Sequence, residues 1–320
     1  MTQILILGGG GMIGQKLARR LIDENLYPDA EITLFDRTFP PDGAPARTVE
    51  GDITDPALAK TLAAGRPDLI FHLAAIVSGQ AEAEFDLGWQ VNMMSMWHLL
   101  AALKEEHEAS GGNYRPRLFF TSSIAVFGAP YPEKIGDDFL SAPQTSYGAQ
   151  KACCELMVSD FSRKGYIDGI SLRLPTICVR PGKPNAAASG FFSGIIREPL
   201  NGQEAILPVP DTTRHWHASP RAAARFLTHA ATLDTDLLEG RRALNLPGFS
   251  CTVAEQIEAL RRTAGQKAVD LIKPVPDPTI MRMVAAWPRD FSPDRAIALG
   301  FEAEKDFDEI IAVYMEDDLS

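Results

Sequence analysis

Residues 3–25, QILILGGGGMIGQKLARRLIDEN, decide the fold. The apolar run ILIL ends in four glycines, and an amphipathic helical pattern starts at once from Met12. Glycines at a strand-to-helix junction permit a tight turn. They also let backbone N–H groups and the positive end of the helix approach a pyrophosphate closely. Gly8, Gly11 and Gly14 have the spacing for that task, Gly9, Gly11 and Gly14 fit GxGxxG by the same letters, and Met12 and Ile13 belong to the same turn. The glycines alone are a weak signal, but Asp36 ends the next predicted strand, EITLFD, 22 residues after Gly14. An acidic residue near that spacing hydrogen-bonds an adenosine ribose, and its carboxylate would repel a 2′-phosphate, so NAD is favoured over NADP. Arg37 complicates this choice: it can pair with a 2′-phosphate, pack on the adenine or face solvent.

The same alternation continues along the chain. Short apolar runs (EITLFD, RTVEGD, DLIFHLAA, RLFFTSS, DGISLRLP) are separated by amphipathic stretches, including a long helical region around residues 82–108. Strands that are continuously apolar between helices belong to a parallel sheet covered on both faces. The expected class is therefore α/β, a doubly wound parallel-sheet Rossmann domain over residues 1–174 with a smaller α/β substrate lobe. The lobe is expected over 175–213 and 248–320, where Pro, Gly and small polar residues accumulate. The helix HASPRAAARFLTHAA and the strand RALNLPG, within about 214–247, are expected to rejoin the main sheet.

Composition narrows the function. The chain has 320 residues, 45% hydrophobic, with a formal net charge of −11 and no Lys/Arg run able to track a phosphate backbone, which argues against nucleic acid as a partner. Cys153, Cys154, Cys178 and Cys251 show no CxxC spacing, and the adjacent pair lies in a helical stretch where side chains diverge. Neither a disulfide framework nor a zinc site is expected. No basic n-region precedes the short N-terminal apolar run, and no stretch approaches about 18 apolar residues, so a cytoplasmic location away from membranes is expected.

A second motif, TSYGAQK at 145–151, leads into the helical stretch ACCELMVSDF. Residues at i and i+4 lie one above the other on a helix, so Tyr147 and Lys151 are neighbours. A free tyrosine has a pKa near 10, and ionising it at pH 7 costs roughly 4 kcal/mol at about 1.36 kcal/mol per unit. A nearby positive charge recovers much of that cost. Tyr147 is thus a candidate general base or acid, with Lys151 and a cofactor charge as its electrostatic support.

Taken together, the glycine turn, Asp36, GDI at 51–53, HLAA at 72–75, Asn92, TSSIAVFG at 121–128 and YGAQK at 147–151 resemble the extended short-chain dehydrogenase/reductase family, in order and over nearly the whole chain. The resemblance implies an NAD enzyme in which Asp52 and Ile53 hold the adenine and Leu73, Ala74 and Ala75 line the cofactor trough. Asn92, Ser122, Leu174, Pro175 and Ile177 would complete the cofactor contacts. Tyr147 and Lys151 would be the catalytic pair, Lys151 also binding the nicotinamide ribose. A hydroxyl at the end of the fifth strand polarises the reacting oxygen in this family; Ser122 and Ser123 both qualify, Ser123 being better aligned. The family also suggests a homodimer built on helices around 90–108 and 147–163.

Where many nucleotide-sugar epimerases carry VYGP-like and RDxxHVDD-like segments, this chain has CVRPG at 178–182 and RHWHASP at 214–220. The stretch at 172–202 resembles a narrower group, the NAD-dependent D-erythronate dehydrogenases, which oxidise the C2 hydroxyl of a four-carbon sugar acid to 2-oxo-tetronate. A small anionic substrate accords with the residues: Asn185 and Ser189 can read hydroxyls, Ser78 follows HLAAIV, and Arg214, ahead of Arg180 or Arg197, can clamp a carboxylate. His215 and His217 share a face of a predicted strand but have no third ligand, so no metal is expected. The rival readings are a nucleotide-sugar 4-epimerase or dehydratase and a non-enzymatic NAD-sensing protein. The second commonly lacks a complete Ser, Tyr and Lys set.

Overall fold

In the computed structural model, which describes residues 1–182 and 188–319, the opening stretch forms strand β1 (Gln3–Leu7), a glycine turn and helix α1 (Met12–Asp23). Six further strands join β1 in one sheet: β2 (Glu31–Asp36), β3 (Arg47–Glu50), β4 (Leu69–His72), β5 (Arg117–Ser123), β6 (Asp168–Leu174) and β7 (Ala243–Asn245). Their order is β7-β6-β5-β4-β1-β2-β3, and every pair is parallel. Strand order reverses between β1 and β4, which opens a crevice beyond their carboxyl ends, the position where such sheets bind ligands. The expected doubly wound α/β fold is thereby borne out.

The uninterrupted apolar strands have a direct cause. Ile4, Ile6, Leu34, Phe71 and Phe119 are buried on one face against α1 and helix α5 (Pro220–Thr232). Leu5, Leu7, Phe35, Ile70 and Phe120 are buried on the other, against α2 (Pro56–Ala64), α3 (Ser95–Ala109) and α4 (Ser146–Arg163). Side chains alternate sides along a strand, so only a sheet covered on both faces requires apolar residues at consecutive positions. Helix α5 starts where the sequence signals it: Pro220 occupies the first turn, and Ser219 Oγ accepts a bond from Ala222 N at 2.9 Å.

The helical region expected as one piece around 82–108 is divided. Short helices at Ser78–Ala83 and Phe85–Trp89 are separated by Glu84, at φ −116° and ψ 72°, and a π-helical turn at Gln90–Met94 precedes α3. The non-helical backbone of Glu84 ends the first helix. The wide turn directs Asn92 into the interior.

After β6 the chain builds a second apolar core, with Phe192, Ile195, Ile196, Leu260, Ile310 and Ile311 from the helices Gly190–Leu200, Val253–Ala264 and Phe307–Asp317. Strand Arg214–Ala218 pairs with Thr176–Ile177 and Phe249–Thr252 in a separate three-stranded sheet, whereas α5 and β7 return to the main one. Among the described residues no helix is long and apolar enough to cross a membrane.

Phe119 is fully buried at the centre of the main sheet, its ring stacked on Phe71 with centroids 4.6 Å apart. Phe119→Ala is expected to destabilise the protein by about 3–5 kcal/mol through lost burial and an unfilled cavity, measured by chemical denaturation.

Candidate active site

The glycine turn is fitted to its surroundings atom by atom. Gly8 has φ +87°, and a Cβ there would lie 2.7 Å from Ala74 N and 2.9 Å from Leu73 C, so β1 and the segment after β4 meet backbone to backbone at the crevice. A Cβ on Gly14 would collide with Gly8 O, which lets α1 pack directly on the turn. Gly11 differs: it is exposed, and a Cβ would meet only Gly8 O, at 3.4 Å. Gly11 is also the N-cap of α1 and supplies no side-chain cap, and the first turn contains no acidic residue. The positive end of a 12-residue helix is therefore left for an outside anion. Met12 and Ile13 flank this end and are partly buried.

Asp36 is anchored beside the turn, one carboxylate oxygen accepting from Gly10 N at 2.9 Å and the other from Arg37 N at 2.7 Å. Gly10 has no room for a side chain, since a Cβ would strike Thr38 O. The Arg37 side chain is exposed. Asp52, at the next strand end, accepts bonds from Thr54 N and Thr54 Oγ1 at 2.9 and 2.8 Å, which hold its carboxyl below the usual range, and Ile53 beside it is partly buried. These residues form a cradle suited to an adenosine diphosphate. Leu73, Ala74 and Ala75 continue it beyond β4, and Leu174 ends β6, with Pro175 and Ile177 following.

Ser123 ends β5 and Tyr147 begins α4, whose N-cap Thr145 accepts from Gly148 N at 3.1 Å. A Cβ on Gly148 would collide with Ala125 O, so the glycine seats the helix on the loop that follows Ser123. Lys151 is 2% exposed; its Nζ donates to Thr121 O at 2.8 Å and lies 4.6 Å from the Phe120 ring centre and 5.6 Å from that of Tyr147. Burial pulls Lys151 down to about 8, against the raising influence of Cys154 and Glu155.

The sequence led us to expect an acidified Tyr147, and the protein groups alone do the reverse. Burial pushes its hydroxyl up to about 12, outweighing the Arg180 charge and a hydrogen-bonding interaction with Ser123, both of which pull it down. The Lys151 ammonium is directed at a carbonyl oxygen instead.

Other expected site residues are engaged elsewhere. Ser122 Oγ donates to Glu155 Oε1 at 2.5 Å, away from Ser123 and Tyr147. Asn92 is buried: its Oδ1 accepts from Ile76 N at 2.8 Å and its Nδ2 donates to Gln150 Oε1 at 2.8 Å, so it braces the segment after β4 against α4. Arg214 is exposed, bonded to Ser250 O at 3.0 Å and paired with Glu255 at 3.2 Å. Arg180 is the arginine whose charge acts on Tyr147; its Nη2 donates to Ser189 Oγ at 2.8 Å, and no carboxylate pairs with it among the described residues. Arg197 is buried, donating to Arg180 O at 2.7 Å and pairing with Glu198 at 2.6 Å. Ser78 starts a short helix and is partly buried, and Asn185 lies outside the described residues.

His215 and His217 do share a face, packed on Phe192 with centroids 5.2 and 4.8 Å away, but that face is buried core rather than surface. His215 contacts Pro288 O and Thr176 Oγ1, and His217 contacts Gln256. Among the described residues no His, Cys, Asp and Glu cluster able to hold a metal is present.

Residues 4–236 match the NAD dependent epimerase/dehydratase family. The chain is similar to D-erythronate dehydrogenase of Cupriavidus necator, with 46% identity over 98% of this chain and 98% of that protein. It is also similar to D-erythronate dehydrogenase of Haemophilus influenzae, with 40% identity over 99% of this chain and 100% of that protein. A solved structure described as the nucleoside-diphosphate-sugar epimerase from Agrobacterium tumefaciens superimposes with a TM-score of 0.94 at 53% identity, covering 99% of this chain and 94% of that one. The cofactor is NAD, as the family description states and as the cradle fits. Likeness of this extent, shared with relatives of nearly equal length, places the chain in the NAD dependent epimerase/dehydratase family, the extended short-chain dehydrogenase/reductases, as an NAD-dependent oxidoreductase.

Proposed function

We propose that the enzyme oxidises the C2 hydroxyl of a small sugar acid, D-erythronate, to 2-oxo-tetronate. The two D-erythronate dehydrogenases it resembles support the substrate class. The residue that carries the reading is Arg180, whose Nη2 donates to Ser189 Oγ at 2.8 Å, which pairs with no carboxylate among the described residues, and whose charge pulls the Tyr147 hydroxyl down against burial. In a 2-hydroxy acid the carboxylate is bonded to the reacting carbon, so the cation that grips it must lie beside the group that takes the proton of the C2 hydroxyl. Arg180 meets that demand better than Arg214, which faces solvent and Glu255.

Bound NAD supplies the acceptor for the hydride leaving C2 and a positive charge beside Tyr147. Ser123 and Tyr147 hydrogen-bond the substrate hydroxyl, and Tyr147 takes its proton. Lys151 holds the nicotinamide ribose and adds its charge. Arg180 clamps the carboxylate bidentately, oriented by Ser189, while Asn185 and Ser78 remain candidates for the distal hydroxyls. Division into a cofactor domain (1–174, rejoined by about 214–247) and a substrate lobe (175–213 and 248–320) belongs to the same proposal. So does a homodimer through α3 and α4, whose Trp97 and Leu156 are 46% and 72% exposed. A cytoplasmic location completes it.

The likeness to a structure described as a nucleoside-diphosphate-sugar epimerase favours a second reading, in which the same residues return the hydride to a nucleotide sugar. Net cofactor reduction separates the two. With NAD and a panel of C3 to C6 sugar acids and UDP-sugars, sustained absorbance of reduced cofactor is expected with D-erythronate, and Tyr147→Phe should abolish it while leaving NAD affinity largely intact. Conversion of UDP-sugars without net reduction would overturn the proposal. Arg180→Met is expected to raise KM for D-erythronate by about ten- to a hundredfold, the loss of a charge-assisted bond pair, whereas Arg214→Met should leave it nearly unchanged. The reverse ranking in steady-state kinetics would move the carboxylate grip to Arg214.

A further inference from the structure

We propose that the row of functional side chains on α4 has a third member, Glu155, which acts as a positioning residue for Lys151 and Ser123 and is itself held by Arg173. The inference rests on the hydride-transfer reading above.

Tyr147, Lys151 and Glu155 follow one another at intervals of four and so share one face of α4. That face meets the last three residues of β5 in turn. Lys151 Nζ holds Thr121 O at 2.8 Å, Glu155 Oε1 holds Ser122 Oγ at 2.5 Å, and Tyr147 interacts with Ser123. Ser122 and Ser123 are adjacent in an extended strand and point to opposite sides. Fixing the first therefore anchors the strand end from which the second projects.

Glu155 is 7% exposed and Ser122 2%. A buried carboxylate needs a charged partner, and Arg173 on β6 provides one in fork geometry, its Nε 2.9 Å from Oε1 and its Nη2 2.7 Å from Oε2. The same guanidinium reaches Asn245 Oδ1 on β7 at 3.2 Å and Ser141 Oγ at 3.3 Å, and lies 4.9 Å from the Phe127 ring centre. One ion pair thus joins the functional helix, strands β5, β6 and β7 and the loop after Ser123. Mere stapling of the helix would not require the carboxylate to stand one turn below a buried ammonium.

The groups that face Lys151 are few. His72 on β4 is held near 3 by burial and by the Lys151 charge, and so stays neutral. Cys154 on α4 is held near 12. Thr121 O and the Phe120 ring come from β5, Tyr147 lies one turn away, and Arg180 acts on Tyr147 rather than on Lys151. Cys154 and then Glu155 pull Lys151 up against a burial that outweighs both; of the two, Glu155 is the formal charge, paired with Arg173, and Arg173 is not among the groups acting on Lys151. Removing Glu155 lowers the pH at which Lys151 loses its proton.

The test uses the full chain with NAD and D-erythronate. Glu155→Gln is expected to lower kcat at least about tenfold with NAD affinity within about twofold, and to move the alkaline limb of the kcat profile about one pH unit lower. Because that variant leaves Arg173 buried without a counter-charge, the double variant Glu155→Gln/Arg173→Met is measured beside it. It should regain the thermal midpoint of the parent yet retain the displaced limb. A double variant, or a stably folded single one, with the parent's limb would overturn the proposal and leave the pair a structural staple. Full turnover by Tyr147→Phe would instead overturn the hydride-transfer reading itself, so the two failures are distinguishable.

Discussion

The active centre depends on how α4 docks on β5. Lys151, the group that fixes this docking, is a cation with almost no access to water, and its Nζ spends a donor on Thr121 O. A buried ammonium is costly unless its donors are satisfied and its field is answered. The docking answers both demands in part: a carbonyl oxygen accepts from Nζ, and Glu155 stands four residues along the same helix. Gly148 makes it possible, since any larger residue would drive the helix off Ala125 O and separate Tyr147 from Ser123.

Electrostatics in this centre is a contest between burial and charge, and with protein groups alone burial prevails at both members of the Tyr147/Lys151 pair. Tyr147 rises to about 12 and Lys151 falls to about 8, each moving toward its neutral form. That is the condition in which one added positive charge has most effect, because the low-dielectric surroundings that penalise an isolated phenolate also strengthen its attraction to a nearby cation. A tyrosine lowered permanently by the protein would keep its phenolate with or without a bound dinucleotide. Here the protein groups alone leave it protonated at neutral pH.

Much of this was legible in the sequence because it rests on local rules. The glycine turn, Asp36 and the unbroken apolar strands are dictated by backbone geometry and by a sheet covered on both faces, and the four-residue period put Tyr147 beside Lys151. The same period carried one step further reaches Glu155, so that residue was available to the argument and was missed because a carboxylate on a helix ordinarily faces solvent. Arg173 could not be assigned this way, since its partner lies 18 residues away on another element. The π-helical turn at Gln90–Met94 carries no periodic signal, and the role of Asn92 follows from its bonds to Ile76 and Gln150, neither of which the sequence specifies. The sequence reading put Arg214 ahead of Arg180 as the carboxylate clamp. Pairing of Arg214 with Glu255 and the charge of Arg180 acting on Tyr147 are what the proposal uses to prefer Arg180.

The residues proposed for catalysis and for the carboxylate grip stand on different parts of the fold. Ser123 ends β5, and Tyr147 and Lys151 lie on α4, whereas Arg180 follows Cys178 and Val179, fully buried in the second apolar core. The backbone of Arg180 is held at both ends from the helix Gly190–Leu200: its N–H donates to Ser193 Oγ at 3.0 Å, and its carbonyl accepts from Arg197 at 2.7 Å. A change in that helix or in the residues packed beneath it shifts the guanidinium without touching the NAD cradle or the proton acceptor. In the proposed reading, chemistry and substrate choice are therefore separable, since activities differ through the sites grafted on a fold rather than through the fold itself.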